Sequence, residues 1–231
     1  TLGRTPSGTT VYPVRENGIR GEWVLGPDVR RGRRAIYYVH GSAYSICSAR
    51  THRSLAARLS FATGIPVFVV DYRLAPEHRF PTAAEDVADG FDWLLRQGFL
   101  PADIVVAGDS AGGHLACDLT LRRADGGAAQ PAAVVLFSPL IDLTFELART
   151  QERIRRDPAI TAAAAARLVA LYTRDVAADD PRLALDFAAA REFPPYESHN
   201  RPKYCRGARC GSEAGCWETR AFCRKAGRST Y

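Results

Sequence analysis

Three kinds of residue are missing from all or part of this sequence. The chain of 231 residues has no methionine, its first 195 residues have no lysine, and its last 36 residues have no leucine, isoleucine or valine. No apolar run approaches the roughly 18 residues that a membrane-spanning helix needs. The N-terminus also lacks the basic-then-apolar pattern of an export signal. We therefore expect a soluble, cytoplasmic protein without a membrane span.

The positive charge of the chain lies almost entirely in its C-terminal segment. The formal net charge is +6, but the first 195 residues carry 23 arginines against 22 acidic residues. The last 36 residues carry 8 basic and 3 acidic residues, including both lysines, Lys203 and Lys225. Because residues 1–195 have no basic excess, their composition argues against the basic face that nucleic-acid binding requires. We expect no nucleic-acid partner.

The composition of the chain is that of a globular domain. Hydrophobic residues make up 46% of the sequence and charged residues 24%, which is enough apolar mass to bury one core. Disordered, collagen-like and coiled-coil proteins are therefore excluded.

Short β-branched runs alternate with helical patterns up to about residue 145. This alternation predicts an α/β fold with a mostly parallel sheet. Three of the runs are apolar on both faces, as buried parallel strands are, and two earlier runs predict an antiparallel entry into the sheet. The buried strands are predicted at residues 66–71, 103–109 and 132–138, and the early strands at 21–25 and 35–40.

Helices are predicted between these strands. Thr51 is the expected N-cap of a helix over residues 55–63. Thr82 and Glu85 have the spacing of a capping box that opens a helix over residues 82–96, and a third helix is expected over 110–123.

The pattern from residue 145 to about 190 is alanine-rich and helical, with Thr161 as an expected N-cap. This predicts an excursion from the sheet, such as a lid. No further Val- and Ile-rich strand follows Pro195, so we expect the C-terminal strands of the sheet to be missing.

The sequence GDSAG at residues 108–112 fits the pattern G-x-S-x-G. An apolar predicted strand precedes it and a predicted helix follows it, which is the setting of a nucleophile elbow. Such an elbow exposes a serine Oγ at a strained turn, and its small neighbours let strand and helix approach. Ser110 is therefore the candidate nucleophile. The alternative is a glycine turn with an incidental serine.

Two other loops follow predicted strands. His40, Gly41, Ser42 and Ala43 end one strand, and a loop of such small residues can present backbone N–H groups to an oxyanion. The segment DYRLAPEHRFP at residues 71–81 ends another strand, where open α/β folds keep binding loops. For this segment we favour a structural role, with an ion pair between Arg73 and Glu77.

HGSA, DYRLAPEHRFP and GDSAGG, in this order, resemble the motifs of the hormone-sensitive lipase branch of the α/β-hydrolases, which includes bacterial carboxylesterases and acetyl-hydrolases. RDPAI at 156–160 and DDPRLA at 179–184 are also similar to family segments. The resemblance covers about residues 10–195. It implies a serine hydrolase of carboxylic esters, with Ser110 as nucleophile and an oxyanion hole formed by the His40–Ala43 loop and the Ala111 N–H. It implies no metal or organic cofactor. The small residues of the site suggest acetyl or other short acyl esters.

The sequence departs from the family in two places. Ser42 and Ala43 stand where the family has glycines, although their N–H groups are kept. The family's acid and base follow the nucleophile in the order Asp, then His, on loops after the last strands. Beyond Asp186 the chain has no aspartate, and its only late histidine, His199, comes too early, so the triad Asp and His stay unassigned. The alternative function is a catalytically deficient or non-enzymatic ligand-binding protein on the same fold.

Residues 196–231 form an anomalous, basic and cysteine-rich tail. Three interpretations compete: a zinc module, a disulfide-stapled extension, or an out-of-frame translation appended to a truncated hydrolase domain of residues 1–195. The tail cysteines, Cys205, Cys210, Cys216 and Cys223, lack the close pairs of zinc modules, and nothing signals export. We favour the frameshift. Because the chain starts at Thr1 and HGSA comes early for the family, we also expect N-terminal lid helices to be missing.

Overall fold

A mixed seven-stranded sheet forms the centre of the computed structural model, which describes residues 4–154, 160–177, 179–187 and 193–199. The strand order is β1-β2-β4-β3-β5-β6-β7. β1 and β2 form an antiparallel hairpin, β2 runs antiparallel to β4, and the remaining neighbours are parallel. The strands are β1 (Thr10–Glu16), β2 (Ile19–Leu25), β3 (Ala35–Val39), β4 (Val67–Val70), β5 (Ile104–Asp109), β6 (Ala133–Phe137) and β7 (Tyr196–His199).

Helices cover both faces of this sheet. α1 packs against one face, where its small residues Ala56 and Ala57 belong to the same buried cluster as Ile36 and Tyr38 of β3. α2 and α3 pack against the other face, whose core includes Tyr37 and many other buried side chains. The helices are α1 (Ala49–Thr63), α2 (Thr82–Arg96), α3 (Ala111–Asp125), α4 (Glu146–Ile154) and α5 (Ala162–Thr173). This layered α/β architecture confirms the predicted fold class.

The predicted antiparallel entry into the sheet is confirmed for β2, which runs antiparallel to β1 and β4, and is wrong for the next strand. The segment predicted at 35–40 forms β3, and it runs parallel to both β4 and β5 rather than antiparallel. The sequence prediction also missed β1. The turn between β1 and β2 contains Asn17 and Gly18, both at positive φ, which is the backbone that a tight hairpin turn requires.

The N-cap residues differ from the predicted ones in two of three helices. α1 begins at Ala49 with Ser48 as N-cap, and Thr51 lies inside the helix, where its Oγ1 accepts from the Ser48 N–H at 3.1 Å. α2 has the predicted bounds, but Pro81 is its N-cap and Thr82 is already helical. The Thr161 prediction is confirmed, since its hydroxyl accepts from the Ala164 N–H at 3.2 Å.

The region after β6 packs onto the main core. α4 and α5 occupy part of the predicted helical region, and the described residues between 174 and 187 form turns and bends. Val169, Leu185 and Phe187 belong to the same buried cluster as α2 and α3. Of the RDPAI segment at residues 156–160, the structure describes only Ile160. The similarity of this segment to the family's lid therefore stays a prediction.

The sheet continues past residue 195, where the sequence predicted no further strand. β7 pairs in parallel with β6, with Val134 opposite Tyr196. Residues 200–231 lie outside the described part of the chain, so the domain boundary and the three interpretations of the tail stay predictions. No helix among the described residues is long and apolar enough to cross a membrane. The cytoplasmic location also stays a prediction.

Candidate active site

Ser110 lies at the junction between β5 and α3. Its backbone angles are φ 49° and ψ −121°, a conformation that non-glycine residues adopt only under strain. Two backbone hydrogen bonds hold it: the Ser110 N–H donates to Phe137 O at 3.1 Å, and the Leu140 N–H donates to Ser110 O at 2.9 Å. The end of β6 therefore fixes the turn that carries the Ser110 hydroxyl, which is partly exposed.

The glycines of the turn allow its close packing. A Cβ at Gly108 would lie 2.5 Å from Gly112 O, so a side chain there would collide with the first turn of α3. A Cβ at Gly112 would lie 2.1 Å from Val39 O and 2.5 Å from His40 O. The N-terminus of α3 thus lies directly against the end of β3, as the small residues of GDSAGG predict.

The loop after β3 has an unusual backbone. Ser42, Ala43 and Tyr44 have φ values of 114°, 52° and 61°, so three consecutive non-glycine residues lie at positive φ. Among the described residues, no acceptor pairs with the N–H groups of Ser42 and Ala43, nor with that of Ala111 at the start of α3. The first turn of α3 also contains no acidic side chain. These N–H groups are therefore available to an anionic ligand.

Asp109 connects this loop to the elbow. Its Oδ1 accepts from the Gly41 N–H at 2.9 Å and from the Tyr38 hydroxyl at 2.8 Å, and it lies 3.5 Å from His52 Nε2. A Cβ at Gly41 would lie 2.3 Å from Asp109 Oδ2, so only glycine fits this approach. The carboxylate next to Ser110 thus fixes Gly41, the second residue of the HGSA loop.

The Asp109–His52 contact shifts the pKa values of both side chains. Burial raises the pKa of Asp109, but the hydrogen bond and charge of His52, with the Tyr38 and Gly41 donors, outweigh it and hold that pKa below its usual value. Burial lowers the pKa of His52, but Asp109 outweighs that effect and raises it overall. The two residues therefore favour a charged pair beside the candidate nucleophile.

His40 is packed in the core rather than directed at a ligand. Its ring stacks on Tyr72 with centroids 4.2 Å apart, its Nδ1 lies 3.0 Å from Gly41 O, and the Tyr72 hydroxyl donates to His40 O at 2.8 Å. Burial lowers the pKa of His40 to about 4, although the hydrogen bond to Gly41 O opposes this shift. A neutral His40 with Nδ1–H donating to Gly41 O orients the start of the HGSA loop.

The segment of residues 71–81 has the predicted structural role but a different ion pair. The Arg73 guanidinium bonds both oxygens of Asp86 on α2, with the shortest contact at 2.7 Å, and the Arg73 N–H donates to Asp86 Oδ2 at 2.8 Å. Glu77 was the predicted partner, and that prediction is wrong. Asp86 pairs with Arg73 because α2 places its carboxylate within hydrogen-bond distance of both the backbone N–H and the side chain of Arg73.

The structure brings together residues that the sequence prediction did not single out. Asp109 was part of a quoted motif without a role, and no local pattern marks His52 or Tyr44. A signal for Asp109 was present, since a carboxylate directly before a buried turn needs donors. His52 lies 57 positions away in the chain, so its contact depends on the packing of α1.

No general base is identified next to Ser110 among the described side chains, which do not include that of His199. In the described ranges, His40, His52, His78 and His114 form no hydrogen bond with Ser110 Oγ, so none of these four completes a triad there. The same ranges contain no group of three or more metal-ligating side chains. Cys47 is an exposed free thiol and Cys117 a buried one, whereas the four tail cysteines fall outside these ranges.

Comparisons with known proteins agree with this architecture. A sequence model of the α/β-hydrolase fold family matches residues 36–196. The esterase LipU of Mycobacterium tuberculosis is 42% identical over 153 residues, which are 66% of this chain and 50% of that protein. An acetyl-hydrolase of Streptomyces hygroscopicus is 37% identical over 161 residues, 70% of this chain and 52% of that protein.

A solved structure supports the same placement. The crystal structure of EstE7, described as a hormone-sensitive lipase homologue from a metagenome library, superposes with a TM-score of 0.83 at 26% identity, covering 97% of this chain and 73% of that one. The chain spans 50% to 61% of the length of three curated relatives that it matches. The chain belongs to the α/β-hydrolase fold family and, within it, to the hormone-sensitive lipase branch that its three motifs indicate.

Proposed function

We propose that the protein hydrolyses carboxylic esters through an acyl-enzyme on Ser110. The observation that carries this proposal is the strained backbone of Ser110 at the strand–helix junction, with φ 49° and ψ −121°. A serine held in this way presents its Oγ above the sheet, beside the N-terminus of α3. An incidental serine in a glycine turn would gain nothing from the strain.

The proposed chemistry uses the free N–H groups around Ser110. Oγ attacks the acyl carbon of the ester, and negative charge develops on the carbonyl oxygen. Collapse of this intermediate breaks the ester C–O bond and releases the alcohol, which takes the proton that Ser110 gave to the base. Water then attacks the acyl-enzyme and releases the acid and the free Ser110 hydroxyl. The N–H groups of Ser42, Ala43 and Ala111 are the proposed donors to the negatively charged carbonyl oxygen, and each such donor lowers the barrier by about 3 kcal/mol. His40 and Gly41 serve this oxyanion hole by orienting the loop.

The Ser110 proton must pass to a general base. His40 and His114 are fully buried and hydrogen-bonded to backbone carbonyls, and His52 is paired with Asp109. None of these three histidines is therefore proposed as the general base.

The proposed substrates are small esters with short acyl groups. Relatives of this chain are named acetyl-hydrolase and ethyl acetate hydrolase, which supports a small acyl group. Apart from Asp109, the elbow residues 108–113 are glycine, alanine and serine, which bring little side-chain volume to the site. The segment after β6, including α5, is proposed to shape the acyl side of the site.

Hydrolysis of p-nitrophenyl acetate, butyrate and octanoate tests this proposal. The acetate and butyrate are expected to react faster than the octanoate, and Ser110→Ala is expected to reduce the rate to that of the buffer. Ser7→Ala is the matched control, because Ser7 is exposed in a turn far from the elbow in sequence. Equal rates for the unaltered protein and Ser110→Ala would exclude Ser110 as the nucleophile.

A further inference from the structure

The HGSA loop adopts a backbone that its own residues disfavour. Ser42 and Ala43 lie at φ 114° and 52°, and Tyr44 follows at 61°. Residues with a Cβ are unfavourable at such angles, where glycine is not. Some neighbouring contact must therefore hold these three residues in place.

One contact comes from α5, through two aromatic rings. The rings of Tyr44 and Tyr172 stack with centroids 4.3 Å apart and an interplanar angle of 18°, and both side chains are fully buried. His114 of α3 also packs edge-on against the Tyr44 ring, with the two ring centroids 5.9 Å apart. Tyr44 thus contacts both α3 and α5.

A second contact joins the same two elements. Ser45 Oγ lies 3.1 Å from Leu168 O of α5 and 3.0 Å from Ala43 O, so its hydroxyl can donate to either carbonyl. The Ala75 N–H donates to Tyr44 O at 2.9 Å. The residues directly after Ala43 are therefore tied to α5 and to the segment of residues 71–81.

Tyr172 is itself well anchored. The Phe80 N–H donates to Tyr172 O at 3.0 Å, and the Phe80 ring packs edge-on against the Tyr172 ring at 5.8 Å. The Arg79 guanidinium pairs with Asp175 at 2.9 Å just beyond the helix end. Ala162 and Val169 are the other buried residues of α5, and Tyr172 is the residue of this helix whose ring stacks on the loop.

We propose that Tyr172 is a positioning residue of the HGSA loop. By stacking on Tyr44, it holds Ser42 and Ala43 in the positive-φ backbone that leaves their N–H groups free. This inference rests on the proposed function and adds a residue that does not touch the substrate. It also explains how a loop with serine and alanine in place of glycine keeps the required backbone.

The test is a comparison of Tyr172 variants in two loop backgrounds. Tyr172→Ala, Tyr172→Leu and Tyr172→Phe are made in the unaltered chain and in the Ser42→Gly/Ala43→Gly chain. Leu171→Ala is the matched control, because Leu171 is the neighbouring α5 residue and is exposed. Tyr172→Leu keeps apolar volume without the ring, so it serves if the alanine variant does not fold. Two quantities are measured: the rate of Ser110 labelling by a fluorophosphonate, and amide hydrogen exchange of residues 42–46.

In the unaltered loop, Tyr172→Ala and Tyr172→Leu are expected to slow labelling about tenfold, since small displacements of catalytic donors have effects of this size or larger. Exchange of residues 42–46 rises in the same variants. Tyr172→Phe and Leu171→Ala are expected to match the parent in both measurements. In the glycine loop, Tyr172→Leu is expected to lose most of its effect on labelling, because glycine reaches positive φ without support.

Two results would overturn the proposal. One is an unchanged labelling rate and unchanged exchange in folded Tyr172→Leu. The other is an equal effect of Tyr172→Leu in both loop backgrounds, which would show a general packing role. If Ser110 of the unaltered protein is not labelled at all, the proposed function fails, and the exchange of residues 42–46 still decides whether Tyr172 holds the loop.

Discussion

His114 lies one helical turn after Ser110 and should make the stability of the protein depend on pH. Its side chain is 1% exposed, and Nε2 lies 3.2 Å from Leu183 O, whereas Nδ1 has no hydrogen-bond partner within the described residues. Nε2–H therefore donates to Leu183 O in the neutral ring. A second proton on Nδ1 would be buried without an acceptor.

The magnitude follows from the pKa difference between the folded and unfolded states. Burial lowers the pKa of His114 to about 4 from its ordinary 6.5, although the Leu183 carbonyl opposes the shift. Because the unfolded chain binds this proton more readily, the contribution is fully present above about pH 6.5 and is lost as pH falls toward 4. A difference of this size corresponds to about 3 kcal/mol of unfolding free energy.

The perturbation is His114→Gln, whose amide can donate to the same carbonyl but does not titrate. Other groups also contribute: His40 acts in the same direction as His114, and His52, with its raised pKa, acts in the opposite one. The comparison of variant and parent isolates His114. Urea unfolding followed by circular dichroism, from about pH 7 to about pH 4, gives the free energies.

Relative to the parent, the variant is expected to lose about 3 kcal/mol less stability over this range, whatever its stability at neutral pH. His78→Gln is the matched control, since His78 is exposed, and its pH slope should follow that of the parent. If His114→Gln and the parent lose the same free energy as pH falls, the burial argument for His114 is wrong.

Three further substitutions test contacts of the fold and the site. Gly112→Ala places a Cβ 2.1 Å from Val39 O, a backbone atom that cannot yield easily, so we expect a loss of at least about 2 kcal/mol in unfolding free energy, measured by urea denaturation. Asp86→Asn removes the charge that pairs with the exposed Arg73 and should cost up to about 1 kcal/mol in the same assay, whereas Glu77→Gln should cost nothing measurable; the reverse order would restore the pair expected from the sequence. Thr161→Ala removes the N-cap of α5 and should cost about 1 kcal/mol, whereas Thr9→Ala, which also loses one hydroxyl-to-backbone bond, is a comparison outside any helix; equal stability of Thr161→Ala and the parent would contradict the capping role.

The central strands could be predicted from the sequence because their chemistry is local. Runs such as VFVV and VVAG are short and apolar on both faces, which is the pattern of a strand covered on both sides of a sheet. β1 was missed because TVYPVRE mixes polar residues and a proline, although Asn17 and Gly18 carried a hairpin signal. The direction of β3 could not be predicted, since a buried strand has the same composition whether its neighbours run parallel or antiparallel.

The candidate site divides in the same way. The elbow at Ser110 and the HGSA loop could be predicted, because each depends on a few consecutive small residues at a strand end. The Asp109–His52 pair and the Tyr44–Tyr172 stack could not, because each joins segments far apart in the chain. The partner of Arg73 was misjudged because Glu77 is nearer in sequence, whereas the packing of α2 decides the contact.

The most direct test of the account is covalent labelling of Ser110. Folded protein is treated with a fluorophosphonate, and mass spectrometry of the intact chain and its peptides locates the adduct. We expect a single adduct on Ser110 that is absent from Ser110→Ala and present in Ser7→Ala. Folded protein that acquires no adduct, or an adduct that persists in Ser110→Ala, would contradict the claim that Ser110 is the nucleophile.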